Sequence, residues 1–319
     1  MSHSFNKIPV GVSACVVGQK VRFDGGHKQS GFVVRDLDPY FDYRPACPEV
    51  AAGMGVPRQT VRLVEDQGQT RVRGSRDQLL DVTEDLNNAS ERLSDGLEHL
   101  RGFIFCAKSP SCGMQRVKVY HPGGHTLRHD GVGIFAEKIL KKYPYLPCEE
   151  TGRLNDVLIR ESFLTRVFTL DIWKREVEPN LSANAILKFH AKHKLMLMAH
   201  SPEHYKAIGP LLSNLKQADL EQVAKEYLTQ LMQGLSIPAS RKKHTNVLMH
   251  IQGYFKRALE NGDKAELTEM IHRYREGLLP LSTPIELFKH YLRKNSDSYL
   301  EEQRYFQPYP EHLVVRTVF

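Results

Sequence analysis

Apolar residues in the first half of the chain fall in short runs rather than helical stripes. Residues 8–14 (IPVGVSA) form a β-type run that ends at Cys15. A polar, glycine-rich stretch follows, then a predicted helix around 31–40 and an extended FDYRPA that ends at Cys47. TVRLVED (60–66) and the neighbouring TRVRG predict short exposed strands. Residues 83–100 carry helical spacing, with Thr83 as the expected N-cap. GFIFCAKS (102–109) predicts a buried strand that runs into Cys112. HPGGHTLRHDGVG (121–133) reads as a Gly- and His-rich loop ahead of a helix over 131–143.

The pattern changes beyond residue 150. Residues 153–176 look helical or mixed. From 182 onward nearly every segment has helical periodicity, as in ANAILKFHAKHKLMLMAHS, ADLEQVAKEYLTQLMQGL and TNVLMHIQGYFKRALENG. The expected fold class is an α/β N-terminal domain with a mostly parallel, Rossmann-like sheet, followed by an all-α C-terminal domain. The expected boundaries are 1–160, a bridging segment 161–180, and 181–319. In parallel α/β sheets ligands bind beyond the carboxyl ends of the strands. Cys15, Cys47 and Cys112 each follow a predicted strand at that end, so residues far apart in sequence are expected at one rim.

Composition narrows the function classes. A length of 319 residues suits two domains, and the charged fraction of 25% and apolar fraction of 41% are those of an ordinary globular protein. No stretch approaches the ~18 apolar residues of a membrane span. The N-terminus lacks a signal-peptide core, and the chain reads as cytoplasmic with no membrane partner. The sequence carries no signal for an oligomeric state. The net charge is +7, and residues 181–319 hold +5 of it with nine of the 15 histidines. That lean favours polyanionic partners.

All five cysteines lie in the first half. An odd number in a reducing compartment points to metal or catalytic use rather than disulfides. Cys15, Cys47 and Cys112 show no C-x2-C pairing, which argues against a zinc ribbon. Three thiolates suit a [4Fe–4S] cluster with one iron left without a protein ligand. Cys106 and Cys148 are expected as buried thiols. HAKH (190–193) has spacing compatible with zinc, but no third ligand is evident.

The three blocks SACVVGQKVRFDG, ACPEVAAGMGVPR and KSPSCG resemble the thiouracil desulfurase (TudS-like) family over roughly residues 7–150. KFHAKHKLMLMAHS, RKKHTNVLMHIQGYFK, YREGLLPLSTP and DSYLEEQRYFQPYP resemble the YbgA-type helical domain. The fused arrangement is similar to the RudS-like desulfidases, which remove sulfur from 4-thiouridine in transfer RNA. The resemblance implies cluster ligation by Cys15, Cys47 and Cys112, and active-site roles for Glu49 and Ser109. Ser111 is the alternative to Ser109, and Lys108 a candidate substrate contact. Glu49 would act as general base or acid, and the bland alternative is a helix-start carboxylate. The cluster would serve as a Lewis acid with no net electron transfer.

Lys188, Lys192, Arg241, Lys242, Lys243, Lys256 and Arg257 are the candidate RNA contacts of the helical domain. His190, His193, His200, Tyr254 and Tyr299 are candidates for base stacking. The loop 121–133 and the helix start after it are candidates to receive a phosphate. The expected partner is tRNA. The alternatives are a free thiouracil or thiopyrimidine nucleotide as substrate, or a cluster-bearing nucleic-acid-binding or sensing protein without turnover.

Overall fold

The computed structural model describes residues 6–215 and 219–313. The first five residues, on which the reading of the N-terminus partly rests, lie outside that range. The chain divides into two compact units, Met1–Asn155 and Asp156–Phe319.

The first unit is α/β. Strands β1 (Ile8–Ser13), β2 (Phe41–Ala46), β5 (Phe103–Phe105) and β8 (Cys148–Glu150) form a parallel sheet in the order β2-β1-β5-β8. Val10, Val12, Ile104 and Phe105 are fully buried in it. β2 is an edge, where Pro45 removes no needed ladder donor. Gly11 is required by packing: a Cβ there would stand 2.2 Å from the Phe103 ring, which lies across the strand and stacks on Phe105 at 4.4 Å.

The rest of the unit differs in part from the sequence expectation. The two segments expected as exposed strands form β3 (Val61–Asp66) and β4 (Gln69–Gly74) of a second sheet, ordered β4-β3-β6-β7. They are not exposed throughout. Leu63, Val64 and Val72 are buried, and Leu63 and Val72 join a core with Val117, Val119 and Leu86. The loop expected over 121–133 contains β7 (Thr126–Gly131), which pairs antiparallel with β6 (Val117–Tyr120). Its residues are mostly exposed and polar, so backbone ladder bonds hold a strand that apolar alternation does not mark.

Helix α2 (Thr83–Ser94) stops at Asp95–Gly96, where Gly96 takes φ 69°, so residues 83–100 are not one helix. Thr83 is not the N-cap: its Oγ1 accepts from the Val72 amide at 2.8 Å, and Val82 precedes the helix. The helix expected around 31–40 is a π-helical turn at Phe32–Leu37. Two further helices, α1 (Pro48–Ala51) and α3 (Ile134–Lys142), flank the sheets' loops.

The second unit is helical: α4 (Val157–Glu176), α5 (Ala183–His200), α6 (Pro202–Ser213), α7 (Leu220–Ser236), α8 (Arg241–Tyr254), α9 (Asn261–Arg275), α10 (Ser282–Lys294) and the short α11 (Ser298–Glu301). Asp156, Ser182, Asp219 and Ser240 cap their helices by accepting backbone amides. Residues 161–180, expected as a bridge, lie inside this unit, and all of α4 from Glu161 to Trp173 is buried. No described helix is long and apolar enough to cross a membrane.

Candidate functional site

Three parallel strands deliver the cysteines to one rim. Cys15 sits on a single 3-10 turn immediately after β1, and Cys47 occupies the N-cap position of α1 after β2. Cys106 directly follows β5, and Cys112 follows it after a tight turn. All four line one cavity of about 330 Å³. Every cysteine is a free thiol. Cys148 is buried on β8 and does not line this cavity.

The cavity wall at Cys106 adds to the sequence reading, which expected only a buried thiol. Its amide donates to Ser13 Oγ at 3.0 Å. Interaction between the neighbouring Cys15 and Cys106 thiols pushes the Cys15 pKa up and the Cys106 pKa down. Burial pushes the Cys47 and Cys112 thiols up. Thiols so disfavoured as anions become ligands when a bound cationic centre supplies the opposing charge.

Glu49 lies in the first turn of α1 and borders the same cavity. Its Oε2 accepts from Arg58 Nε at 2.9 Å and Nη2 at 2.6 Å, and its Oε1 accepts from Ser111 Oγ at 2.7 Å. The ion pair is largely enclosed, with 15% of the Glu49 side chain and 8% of Arg58 exposed. Arg58 also donates to the carbonyls of Val21 (2.9 Å) and Gly55 (3.1 Å), tying the carboxylate to the first cysteine loop. Sequence reasoning passed over Arg58. The signal was present, since it is the only basic residue of the block ACPEVAAGMGVPR.

The two serines of the SPSC turn have different contacts. Ser109 Oγ accepts from the amides of Ser111 (3.2 Å) and Cys112 (3.1 Å), so it shapes the turn that presents Cys112 while bordering the cavity. Ser111 is fully buried, and its hydroxyl goes to Glu49. The turn is clamped from behind by α3. Ile134 and Phe135 amides donate to the carbonyls of Pro110 (3.1 Å) and Ser111 (2.9 Å). A Cβ at Gly133 would stand 2.5 Å from the Ser111 carbonyl carbon, so this approach requires glycine. The amides expected to receive a phosphate at this helix start are therefore already taken. Lys108 is exposed beside the cavity.

In the helical unit several expected RNA-facing groups serve the fold instead. His193 and His200 are buried, each with Nδ1 against a main-chain carbonyl, of Phe189 (2.7 Å) and Ile237 (2.8 Å). Neither is available for stacking on a base. His190 is half-buried with Nδ1 3.2 Å from the Tyr227 hydroxyl. Burial lowers the His190 pKa to about 4 and that of His193 to about 3. Tyr254 and Tyr299 stack on each other at 5.2 Å.

Lys243 donates to the His200 carbonyl at the end of α5 (2.7 Å), and Arg241 packs over the Tyr274 ring. Lys192 lies 3.6 Å from Glu302. Lys188, Lys242, Lys256 and Arg257 are exposed. Among the described residues, no three His, Cys, Asp or Glu side chains converge as ligands of a single metal ion, at HAKH or elsewhere.

Residues 10–151 match the family model described as 2-thiouracil desulfurase, and residues 194–310 match one described as a protein of unknown function, DUF1722. Among solved structures, the chain is similar to a [4Fe-4S]-dependent thiouracil desulfidase, TudS. The two are 27% identical, covering 47% of this chain and 94% of that one, with a TM-score of 0.38. Among curated proteins it is 36% identical over 157 residues to the uncharacterized protein YbgA of Escherichia coli (strain K12), covering 49% of this chain and 93% of that protein. Through its helical half, the chain belongs to the YbgA family.

Proposed function

We propose that this chain is a desulfidase that converts 4-thiouridine in transfer RNA to uridine and hydrogen sulfide, with a [4Fe–4S] cluster as its cofactor. The observation that carries the reading is the meeting of Cys15, Cys47, Cys112 and Glu49 on one cavity, inside the segment that matches 2-thiouracil desulfurase. The donor set fits such a cluster. Soft sulfur donors arrive on three separate loops, none of them in a disulfide. Each thiolate of a cubane binds its own iron, so the ligands need not converge on one point as those of a single ion do. Cys15, Cys47 and Cys112 would hold the cluster, which would supply a thiophilic Lewis acid for the sulfur of the substrate.

The remaining chemistry falls to the chain's own side chains. Exchange of C=S for C=O consumes one water and yields hydrogen sulfide, without oxidation or reduction. Glu49 takes a proton from the attacking water and returns one to the leaving sulfur or a ring nitrogen. Arg58 and Ser111 hold its two oxygens from opposite sides, so the carboxylate keeps one orientation through the cycle. The Ser109 hydroxyl borders the cavity and positions the base or the water. A cytoplasmic setting goes with this reading, because the cysteines must stay reduced.

The test is anaerobic purification with iron and acid-labile sulfide analysis, followed by hydrogen sulfide release from thiolated tRNA. Glu49→Gln is expected to keep its iron and lose about 10²–10⁴-fold in rate. A preparation that binds no iron, or that loads with iron yet releases no sulfide from any thiopyrimidine, sinks the reading.

A further inference from the structure

Among the described residues that line the cysteine cavity, one is aromatic: Phe23, in the polar loop between β1 and β2. Its surroundings are unlike those of the other described phenylalanines. Phe32 is half-buried and the rest are buried, whereas 37% of Phe23 is exposed. Its one ring contact among the described residues is the Arg22 guanidinium, 5.2 Å from the ring centre. The remaining cavity wall is made of thiols, polar groups and aliphatic side chains.

The backbone of Phe23 is fixed in place. Arg58 holds its loop twice, with the amide donating to the Phe23 carbonyl (2.8 Å) and Nη2 to the Val21 carbonyl (2.9 Å). The same guanidinium grips Glu49, so the ring and the carboxylate share one anchor. Just beyond Phe23 the chain reverses. The Gly25 amide donates to the Arg22 carbonyl (3.0 Å), the Gly26 amide to Asp24 Oδ1 (3.0 Å), and Gly25 takes φ 72°. A large apolar ring left part in water contributes little to folding, because its burial is incomplete. A flat ligand laid on it completes that burial. The cavity volume of about 330 Å³ lies at the small end of ligand sites, which suits one ring system.

We propose that Phe23 is the platform on which the pyrimidine ring of the substrate stacks, and that it selects flat, conjugated rings over saturated ones. The proposal rests on the desulfidase reading and adds how the ring is recognised. Stacking engages only the face of a pyrimidine. The edge that carries the sulfur and its carbon is left free for the cysteine rim and Glu49. Every pyrimidine has such a face whatever is attached to it, so one platform serves a free base, a nucleoside or an unpaired base of RNA. Saturation of the ring's carbon–carbon double bond removes the conjugation and the planarity, and with them the stacking. Phe23 moves no proton and forms no bond; its role is specificity.

Uridine and 5,6-dihydrouridine differ only in that double bond, and calorimetry of the anaerobically prepared full chain with each needs no turnover. Uridine should bind at least about fivefold more tightly, the lower end of what base–aromatic stacking supplies. Phe23→Leu keeps an apolar side chain but has no ring, and it should bind the two equally. Phe23→Tyr should restore the preference. Equal affinities in the unaltered protein, no binding of either nucleoside, or a preference that survives in Phe23→Leu overturns the proposal.

Sulfide release supplies the second readout. With 4-thiouracil and 4-thiouridine, Phe23→Leu should raise KM at least about fivefold, change kcat less, and leave the iron content and melting temperature as they are. A fall in kcat with KM unchanged would mean that the ring serves Arg22 or the loop, and would also overturn the proposal. The two readings fail separately. A preference for uridine without sulfide release from any thiopyrimidine supports the platform and rejects the desulfidase; sulfide release without the preference does the reverse.

Discussion

The two halves of this chain treat their polar residues in opposite ways. In the α/β unit, residues separated by up to 97 positions, from Cys15 to Cys112, are brought to one cavity with a carboxylate held between Arg58 and Ser111. In the helical unit, residues close in sequence and rich in His, Lys and Arg are absorbed one by one into the fold. His193 closes on its own helix, His200 on the Ile237 carbonyl, and Lys243 caps α5. A polar residue is a candidate for function when its partners are other polar side chains around a space. When its partner is the nearest main-chain carbonyl, it is part of the scaffold.

The sharpest way to break this contrast is inside the cavity. Cys47→Ser and Cys112→Ser should abolish iron binding and turnover together, whereas Cys106→Ser should retain both, as measured by iron content and sulfide release. If Cys106→Ser strips the iron as completely as Cys112→Ser, all four thiols are ligands and no iron is free for the substrate.

A smaller effect is expected around Glu49. Removing a hydrogen bond to a charged group costs about 1.5–3 kcal/mol. Ser111→Ala and Arg58→Lys should therefore lower kcat by roughly 10- to 100-fold, less than Glu49→Gln, with iron content unchanged. Ser111→Ala matching the unaltered enzyme would show that Glu49 needs no orientation from that side.

In the helical unit the expected effects concern stability. The pKa of His190 is lowered to about 4 and that of His193 to about 3, from an ordinary value of 6.5. His193 Nε2 is buried with no partner among the described residues, so a proton there would be an unpaired charge. Below about pH 6.5 the unfolded chain takes up protons that the folded one refuses, so stability falls as pH drops from there toward 4. The slope is at most about 1.4 kcal/mol per pH unit for each histidine. Urea unfolding between pH 7 and 5 should show it, and His193→Gln should remove its share of the slope. A flat profile would mean that these rings accept protons in place.

The smallest effect separates scaffold from surface among the lysines. Lys243→Ala should destabilise by about 1 kcal/mol through the loss of its bond to the His200 carbonyl. Lys256→Ala should change stability within about 0.5 kcal/mol. Unfolding curves in denaturant distinguish them.

The short apolar run ending at Cys15 marked strand β1, because buried parallel strands carry near-continuous hydrophobic residues, whereas β2 (FDYRPA) is a half-exposed edge strand. Helical periodicity marked the second half from residue 182 onward, where helices such as α7 and α10 bury one side and expose another; α4, buried on every side from Glu161 to Trp173, shows no such stripe. Strand β7 left no such mark, since its residues are mostly exposed and its ladder bonds involve only backbone. Thr83 had the composition of a cap, yet tertiary contact gave its hydroxyl to Val72.

Local sequence thus determined where the strands end and which residues capable of chemistry stand there, because the period of burial is a property of neighbouring residues. Only the tertiary structure decided that Cys106 shares the cavity and that Arg58 and Ser111 grip Glu49. Those outcomes depend on which loops the sheets place side by side. Such juxtaposition is set by long-range packing and leaves no period along the chain.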